Sequence, residues 1–410
     1  MAQAVPRHMN CDRMGRMDTA ELRALLSAEG LRLVDSLPPY DSSADVLRSV
    51  SELRKAGHSP ALVAAVLTQS RLRRRAAAKF GPFAERMLFT QAGLEQATRL
   101  SVAATHAGRF RSAGLVRVAD LGCGIGGDAL AIAALDMDVT AVEKDEVTAA
   151  IAAYNLAPWP NATVTSADAE EFDVAGFDGV WLDPARRDGV RRLGNPADWT
   201  PSLDFAFGLA TRLPVGVKLA PGIDRGLVPD SAEAQWVSDH GETVEVAVWF
   251  NGLARPGIRR AALVIGAHGS AELTGSGDSP DAPTGPLREY LYEPDGAVIR
   301  ARLIGDLARG IDASMLSRGI AYLTSDAAVT TPFATCFRIT DSLPWNERAI
   351  KKALRSRGIG NLEIKKRGVD LDPAVFRKKL DLAGDASATL IVTRVNGHHT
   401  ALLAERLTGR

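Results

Sequence analysis

From Asp18 to about Arg99 apolar residues recur three and four positions apart, as in Leu22, Leu25 and Leu26 and again in Leu47, Val50 and Leu53. That spacing places them on one face of a helix. Asp18 ahead of Thr19-Ala20-Glu21 is a helix start, and Ser59-Pro60 opens a strong helix through Leu72. Pro38-Pro39 interrupts the run. Residues 18–99 therefore read as a helical domain.

The pattern changes at Val116. Short apolar runs now alternate with helical ones: Val116–Leu121, Ala129–Leu135, Val139–Val142, Glu146–Asn155, Ala162–Thr165, Gly179–Leu182, Leu203–Leu213 and Val215–Leu219. Such alternation predicts parallel strands joined by crossover helices. Val244–Phe250 and Arg259–Ile265 have no helix between them and are expected to pair antiparallel at a sheet edge. This gives an α/β domain over 100–266. Residues 267–285 are expected to be a linker or long loop, since nine of the nineteen are Gly, Ser or Pro. From 286 to 408 the pattern is mixed α+β. Its strand candidates include Ala297–Arg300, Ala321–Leu323, Thr335–Ile339, Asn361–Lys366, Thr389–Val395 and Thr400–Glu405. Its helix candidates are Ile304–Leu307, Trp345–Ser356 and Pro373–Leu382.

Composition narrows the class. The chain has 410 residues, 46% of them apolar, enough for two or three domains. Cys11, Cys123 and Cys336 form no CxxC pair, so neither a disulfide framework nor a four-thiolate zinc site is expected. His240, His398 and His399 show no metal-ligand spacing. No metal and no membrane span of ~20 apolar residues is expected. Met1–Met17 lacks the apolar core of a secretory signal. The first sixteen residues are expected as a loose tail, and a cytoplasmic location follows from the reduced cysteines.

The sharpest local feature is Asp120-Leu121-Gly122-Cys123-Gly124-Ile125-Gly126-Gly127-Asp128, where a strand ends and a helix begins. Read literally it satisfies the dinucleotide fingerprint. The charges argue otherwise. Asp120 and Asp128 would repel a pyrophosphate at the helix start by roughly 1–4 kcal/mol each at contact range. They would attract a sulfonium or an ammonium, both of which S-adenosylmethionine carries. Glu143, at the end of the next strand, stands where a carboxylate accepts from ribose hydroxyls. Asp168, with Ala169, follows the third strand, where it could accept from an adenine amine or simply cap a helix. Asp183-Pro184-Ala185-Arg186 ends the fourth strand, on the same rim, and could hold an acceptor near a methyl donor.

This set of motifs, in this order, resembles the class I S-adenosylmethionine-dependent methyltransferases, which have a Rossmann-like sheet. Lys79-Phe80-Gly81, Met87-Leu88-Phe89-Thr90 and Gly93–Arg99 resemble one bacterial subgroup whose C-terminal part is a THUMP-like domain. So do Tyr290–Gly296, Tyr322–Asp326 and Ile364–Gly368, and the likeness covers roughly residues 18 to 408. It implies S-adenosylmethionine as cofactor and methylation of RNA. Asp120, Gly122, Gly124 and Gly126 would cradle the methionyl part, with Glu143 on the ribose and Asp168 and Ala169 at the adenine. Asp183, Pro184 and Arg186 would carry the catalytic role, with Asp183 also touching the cofactor. There are two departures. No aromatic follows Pro184, so a base is not stacked there. Lys218-Leu219-Ala220-Pro221-Gly222 stands where a uridine C5 methylase needs a cysteine nucleophile.

Net charge is zero, with 49 basic and 49 acidic residues, yet the bases cluster. Trp345–Leu380 holds eleven basic residues against four acidic ones, and Gln69–Lys79 holds five with no acid. Arg71, Arg73, Arg74, Arg75, Lys79, Lys351, Lys352, Lys365, Lys366 and Arg367 are therefore candidate RNA contacts. The leading expectation is a methyltransferase acting on a base nitrogen of tRNA or rRNA. A small-molecule or protein methyltransferase, a non-catalytic cofactor-binding module and an NAD-linked oxidoreductase remain as alternatives. No protein partner is indicated.

Overall fold

The computed structural model describes residues 17–37, 43–185, 187–188, 191–192 and 198–407. The expected tail Met1–Arg16, the Pro38-Pro39 break and Arg186 lie outside the described residues. The chain divides into two compact units, Met1–Lys218 with Phe250–Leu253, and Leu219–Trp249 with Ala254–Arg410.

The first unit opens with helices. α1 (Thr19–Leu25) begins in a capping box, with Asp18 accepting from the Glu21 amide and Glu21 reaching back to the Asp18 amide. α2 (Ala28–Ser36) and α3 (Ser43–Lys55) follow. α4 (Pro60–Phe80) has Ser59 as N-cap and proline in its first turn, and it buries Leu62, Val66, Leu72, Ala76 and Phe80. α5 (Gln91–Gln96) and α6 (Leu100–Ser112) lead into the sheet. Two buried amides fix the intervening turn. Gln69 exchanges hydrogen bonds with the Phe89 backbone at 2.7 and 3.0 Å, and Asn155 does the same with Leu88 at 3.0 and 2.8 Å.

Five strands follow: β1 (Arg117–Leu121), β2 (Asp138–Glu143), β3 (Ala162–Ser166), β4 (Gly179–Leu182) and β5 (Val215–Leu219). They are parallel, in the order β5-β4-β1-β2-β3. α7 (Gly127–Ala133), α8 (Glu146–Leu156) and α9 (Leu203–Leu209) lie on the crossovers. All four residues of β4 are buried, as a central strand covered on both faces requires. Strand order reverses between β1 and β4, and ligands in open α/β sheets sit outside the carboxyl ends of strands at such a point.

In the second unit, β6 (Glu233–Asp239), β7 (Glu242–Phe250), β8 (Arg260–Gly266) and β9 (Gly269–Gly275) lie in the order β9-β8-β6-β7. This corrects two expectations. The runs near 244–250 and 259–265 are not neighbours, because β6 lies between them, parallel to β8 and antiparallel to β7. β6 lacked an apolar signature because it buries Glu233, Gln235, Ser238 and Asp239. These polar groups have partners: Arg255 forks onto Glu233, and Ser238 donates to Asp295 at 2.9 Å. Residues 267–285, expected as linker, contain β9, an antiparallel edge strand on β8. An edge strand packs only part of its surface, so its pattern was weak.

A second sheet contains β10 (Tyr290–Pro294), β11 (Ser314–Ser317), β12 (Ile320–Ser325), β13 (Ala334–Pro344), β14 (Ile359–Lys366), β15 (Ala386–Val395) and β16 (His398–Arg406). Their order is β11-β12-β10-β13-β16-β15-β14. Between β10 and β11 come α10 (Gly296–Arg300) and α11 (Ile304–Gly310). Ala297–Arg300 is thus helical rather than the expected strand, because Asp295 caps it by accepting from the Ala297 amide at 2.8 Å. α12 (Glu347–Ser356) and α13 (Pro373–Leu380) bury Ile350, Leu354, Phe376 and Leu380 against Leu362, Leu390 and Leu403. Among the described residues no helix is long and apolar enough to cross a membrane.

Candidate functional site

The predicted cofactor residues of the first unit gather at the carboxyl ends of β1 to β4. The loop after β1 bends back at once. The Gly122 and Cys123 amides both donate to the Val142 carbonyl of β2, at 2.9 and 3.0 Å. Gly122 has φ +85°, and a Cβ there would sit 3.2 Å from the Asp183 carbonyl, so the first loop and the fourth-strand loop meet across it. Gly124 also has positive φ, +55°, but a Cβ there would meet nothing within 4 Å. Gly126 is the left-handed N-cap of α7. Open space lies above the middle of the loop, which is what a ligand cradle requires.

The acids at this rim are in different states. Asp120 is fully buried and neither carboxylate oxygen has a hydrogen-bond partner. Burial first, then the charges of Asp128 and Asp183, push its carboxyl well above the usual range. Glu143 accepts from the Gly124 amide at 3.0 Å and from the Asp145 amide at 2.9 Å. Burial raises its carboxyl, and these amides oppose the rise. Asp168 pairs with Lys144 at 2.6 Å and accepts from the Glu170 amide at 3.0 Å. Both contacts hold its carboxyl below the ordinary value, the lysine more strongly. Ala169 beside it is buried.

Asp128 differs from its sequence reading. Its carboxylate is taken up inside the fold, accepting from Thr98 Oγ1 at 2.7 Å and His106 Nδ1 at 2.8 Å. Burial opposes its ionisation, but His106, Lys218 and Thr98 together outweigh burial and lower its pKa. The His106 ring lies 4.2 Å from that of Trp181 on β4. Asp183, just past β4, pairs with Lys218 of β5 at 2.6 Å, and Lys218 donates onward to Thr98 Oγ1 at 2.9 Å. Pro184 is buried. Arg186 lies outside the described residues.

Lys218, Thr98 and His106 were missed as site residues. In the sequence Lys218 stands out only where a cysteine nucleophile is lacking, Thr98 belongs to the Gly93–Arg99 stretch that carries the family resemblance, and no motif marks His106. Burial of the Cys123 thiol pushes its pKa well up, so it stays protonated.

The basic residues fare unevenly. Arg73 donates to the Met87 carbonyl at 2.9 Å and to Asp35 at 2.8 Å. Arg75 donates to Gln91 at 3.0 Å. Lys79 caps α5 through the carbonyls of Leu94, Glu95 and Ala97, at 2.8–2.9 Å. In the second unit Lys351 pairs with Asp381 at 3.3 Å, and Lys365 with Glu293 at 2.6 Å. The Arg367 guanidinium sits 5.3 Å over the Tyr322 ring. Arg71, Arg74, Lys352 and Lys366 are exposed. Among the described residues no group of three or more His, Cys, Asp or Glu could hold a metal ion.

A parallel sheet with a glycine loop after β1 and acids at the ends of β1, β2 and β4 defines a Rossmann-like class I methyltransferase unit. The orphaned Asp120 carboxylate and the open space over Gly124 suit a cationic cofactor. Two proteins of Mycobacterium tuberculosis, from strains CDC 1551 / Oshkosh and H37Rv, are each named as an uncharacterized S-adenosylmethionine-dependent methyltransferase. Each is 34% identical to this chain over 333 residues, covering 79% of it and 90% of the relative. The chain belongs to the S-adenosylmethionine-dependent methyltransferases, and S-adenosylmethionine is its cofactor. Residues 334–406 match the THUMP domain-like family, and residues 18–76 match a domain of unknown function. The crystal structure of a candidate methyltransferase from Porphyromonas gingivalis W83 shares the fold. Its TM-score is 0.69 at 20% identity, over 90% of this chain and 99% of that one.

Proposed function

We propose that this methyltransferase modifies a base nitrogen in structured RNA, tRNA or rRNA, in the cytoplasm. The observation that carries the reading is the pairing of a methyl-transfer rim, with Asp183 at its edge, with a THUMP domain-like segment in the same chain. In this reading S-adenosylmethionine supplies an activated methyl group on a cationic sulfur. Asp120 faces its positive end, Gly124 leaves room for its methionyl part, and Gly122 and Gly126 turn the loop around it. Glu143 turns from the Gly124 amide to the ribose hydroxyls, and Asp168 with Ala169 bounds the adenine. Asp183 accepts the hydrogen of the nitrogen that takes the methyl, Pro184 fixes the turn beside it, and Arg186 is a candidate contact for the substrate. Orientation is the main demand of such a displacement. Arg71, Arg74, Lys352 and Lys366 are the candidate phosphate contacts most open to solvent.

Comparing nucleosides from cells with and without the gene by mass spectrometry tests this reading. One methylated base should disappear from tRNA or rRNA and return when the gene is restored. An unchanged nucleoside profile would reject RNA as substrate. A second reading, methylation of a small molecule or protein, is favoured by one observation. Arg73, Arg75, Lys79, Lys351, Lys365 and Arg367 spend their charge or donors inside their own units.

A further inference from the structure

We infer that Lys218 is a positioning residue for methyl transfer, holding Asp183 ionised and aimed at the acceptor, and that Thr98 holds Lys218. This rests on the reading that Asp183 faces the acceptor nitrogen. The protons along the chain have fixed directions. His106 Nδ1 donates to Asp128 Oδ1 at 2.8 Å. Asp128 Oδ2 receives the Thr98 hydroxyl hydrogen at 2.7 Å. Thr98 Oγ1 has then given its hydrogen away and accepts from Lys218 Nζ at 2.9 Å. The same ammonium donates to Asp183 Oδ2 at 2.6 Å and lies 3.4 Å from the Gln96 carbonyl. Three acceptors thus surround a group with three hydrogens. In this arrangement Lys218 acts as a donor on every side, which leaves proton acceptance to Asp183.

The electrostatics point the same way. The charges of Asp128 and Asp183 both disfavour ionisation of Asp120. Lys218 contacts Asp183 and acts on both other acids. Its side chain is only 14% exposed, so solvent screens the pair weakly. In the reaction the acceptor nitrogen forms a bond to the methyl carbon as the carbon–sulfur bond breaks. That electron pair goes to sulfur, and the nitrogen's proton passes to Asp183. An Asp183 already protonated could not take it. Gln96 ends α5 and Thr98 follows it; Lys79 also caps this end, so two lysines gather the carbonyls of residues 94–97.

The test uses the full-length chain as wild type, Lys218→Met, Lys218→Arg and Thr98→Val. Carbon-13 NMR of labelled aspartate, assigned with Asp183→Asn, follows the Asp183 carboxyl without any acceptor. Circular dichroism and thermal melting report whether each variant is folded. Lys218→Met should raise the Asp183 titration midpoint, Thr98→Val should raise it less, and Lys218→Arg should restore it partly. With RNA from cells lacking the gene, Lys218→Met should lower kcat by about 100-fold, as loss of positioning does. KM should change little, and the acidic limb of the kcat profile should move to higher pH. An Asp183 midpoint unmoved in Lys218→Met overturns the inference. If wild type methylates no RNA, the RNA reading fails, while the carboxyl titration still decides for or against the Lys218–Asp183 coupling.

Discussion

The amide of Gly124 donates to Glu143 Oε2 at 3.0 Å, so the tip of the glycine loop is latched to the acid at the end of the neighbouring strand. A ligand that takes the Glu143 carboxylate must exchange its own hydroxyls for that amide. Glu143→Ala should therefore weaken S-adenosylmethionine binding roughly 10- to 100-fold, as loss of hydrogen bonds to a charged group worth ~1.5–3 kcal/mol would do. Calorimetry measures it, and unchanged affinity would remove Glu143 from the cofactor site.

Asp120 predicts a pH effect. Its carboxyl is raised by burial and by Asp128 and Asp183, against which Lys218 acts. A cation bound beside it favours the ionised form, so cofactor binding should release a proton on the acid side. Affinity should strengthen as pH rises, up to the titration of Asp120 in the free protein. Calorimetry in buffers of different ionisation heat detects the proton. The stability sign is opposite. A carboxyl whose folded pKa is raised favours folding below its unfolded pKa and loses that contribution as pH rises through the folded pKa. Asp120→Asn should thus bind cofactor more weakly yet, above that pKa, melt higher than wild type.

Two glycines separate fold from function. Gly122→Ala puts a Cβ 3.2 Å from the Asp183 carbonyl at φ +85° and should cost about 1–3 kcal/mol of stability. Gly124→Ala meets no neighbour, so its stability cost should be only the ~1 kcal/mol of a left-handed backbone, while it fills the space over the loop. Thermal melts and cofactor titrations together check this. Equal loss of binding per unit of stability in the two variants would contradict it.

The His106–Asp128 pair is a stability element. Its carboxyl is depressed despite burial, so its contribution is present above the unfolded pKa and lost as pH falls toward the folded one. His106→Ala leaves a buried carboxylate without a main partner, and removing half of such a pair typically costs ~3–5 kcal/mol. Urea unfolding at pH 7 and below pH 3 should show the wild-type advantage shrinking in acid.

The RNA reading predicts that exposed and engaged bases behave differently. Lys352→Glu with Lys366→Glu should weaken RNA binding and flatten its dependence on salt, by about 0.9 in logarithmic slope per phosphate contact removed. Lys79→Met should lower the melting temperature, because α5 loses its cap, without changing that slope. Filter binding across a salt series distinguishes them.

Local pattern was enough for the parallel core, because β1, β2 and β5 are short apolar runs and the loop from Gly122 to Gly126 needs glycine at positive φ whatever surrounds it. It was not enough for β6, whose seven buried residues include four polar ones satisfied from elsewhere in the unit. It also said where charge was concentrated, but not which charges were already taken. Thr98 and Lys218 are 120 residues apart and Asp183 and Lys218 are 35 apart, yet both pairs are hydrogen-bonded. The sequence by itself determined the glycine loop, the order of the acids along it and the family they mark. Only the tertiary structure decided which acids stay orphaned and which bases are consumed in caps and ion pairs. A charge's partner is set by strand order and helix packing, which no local spacing along the chain records.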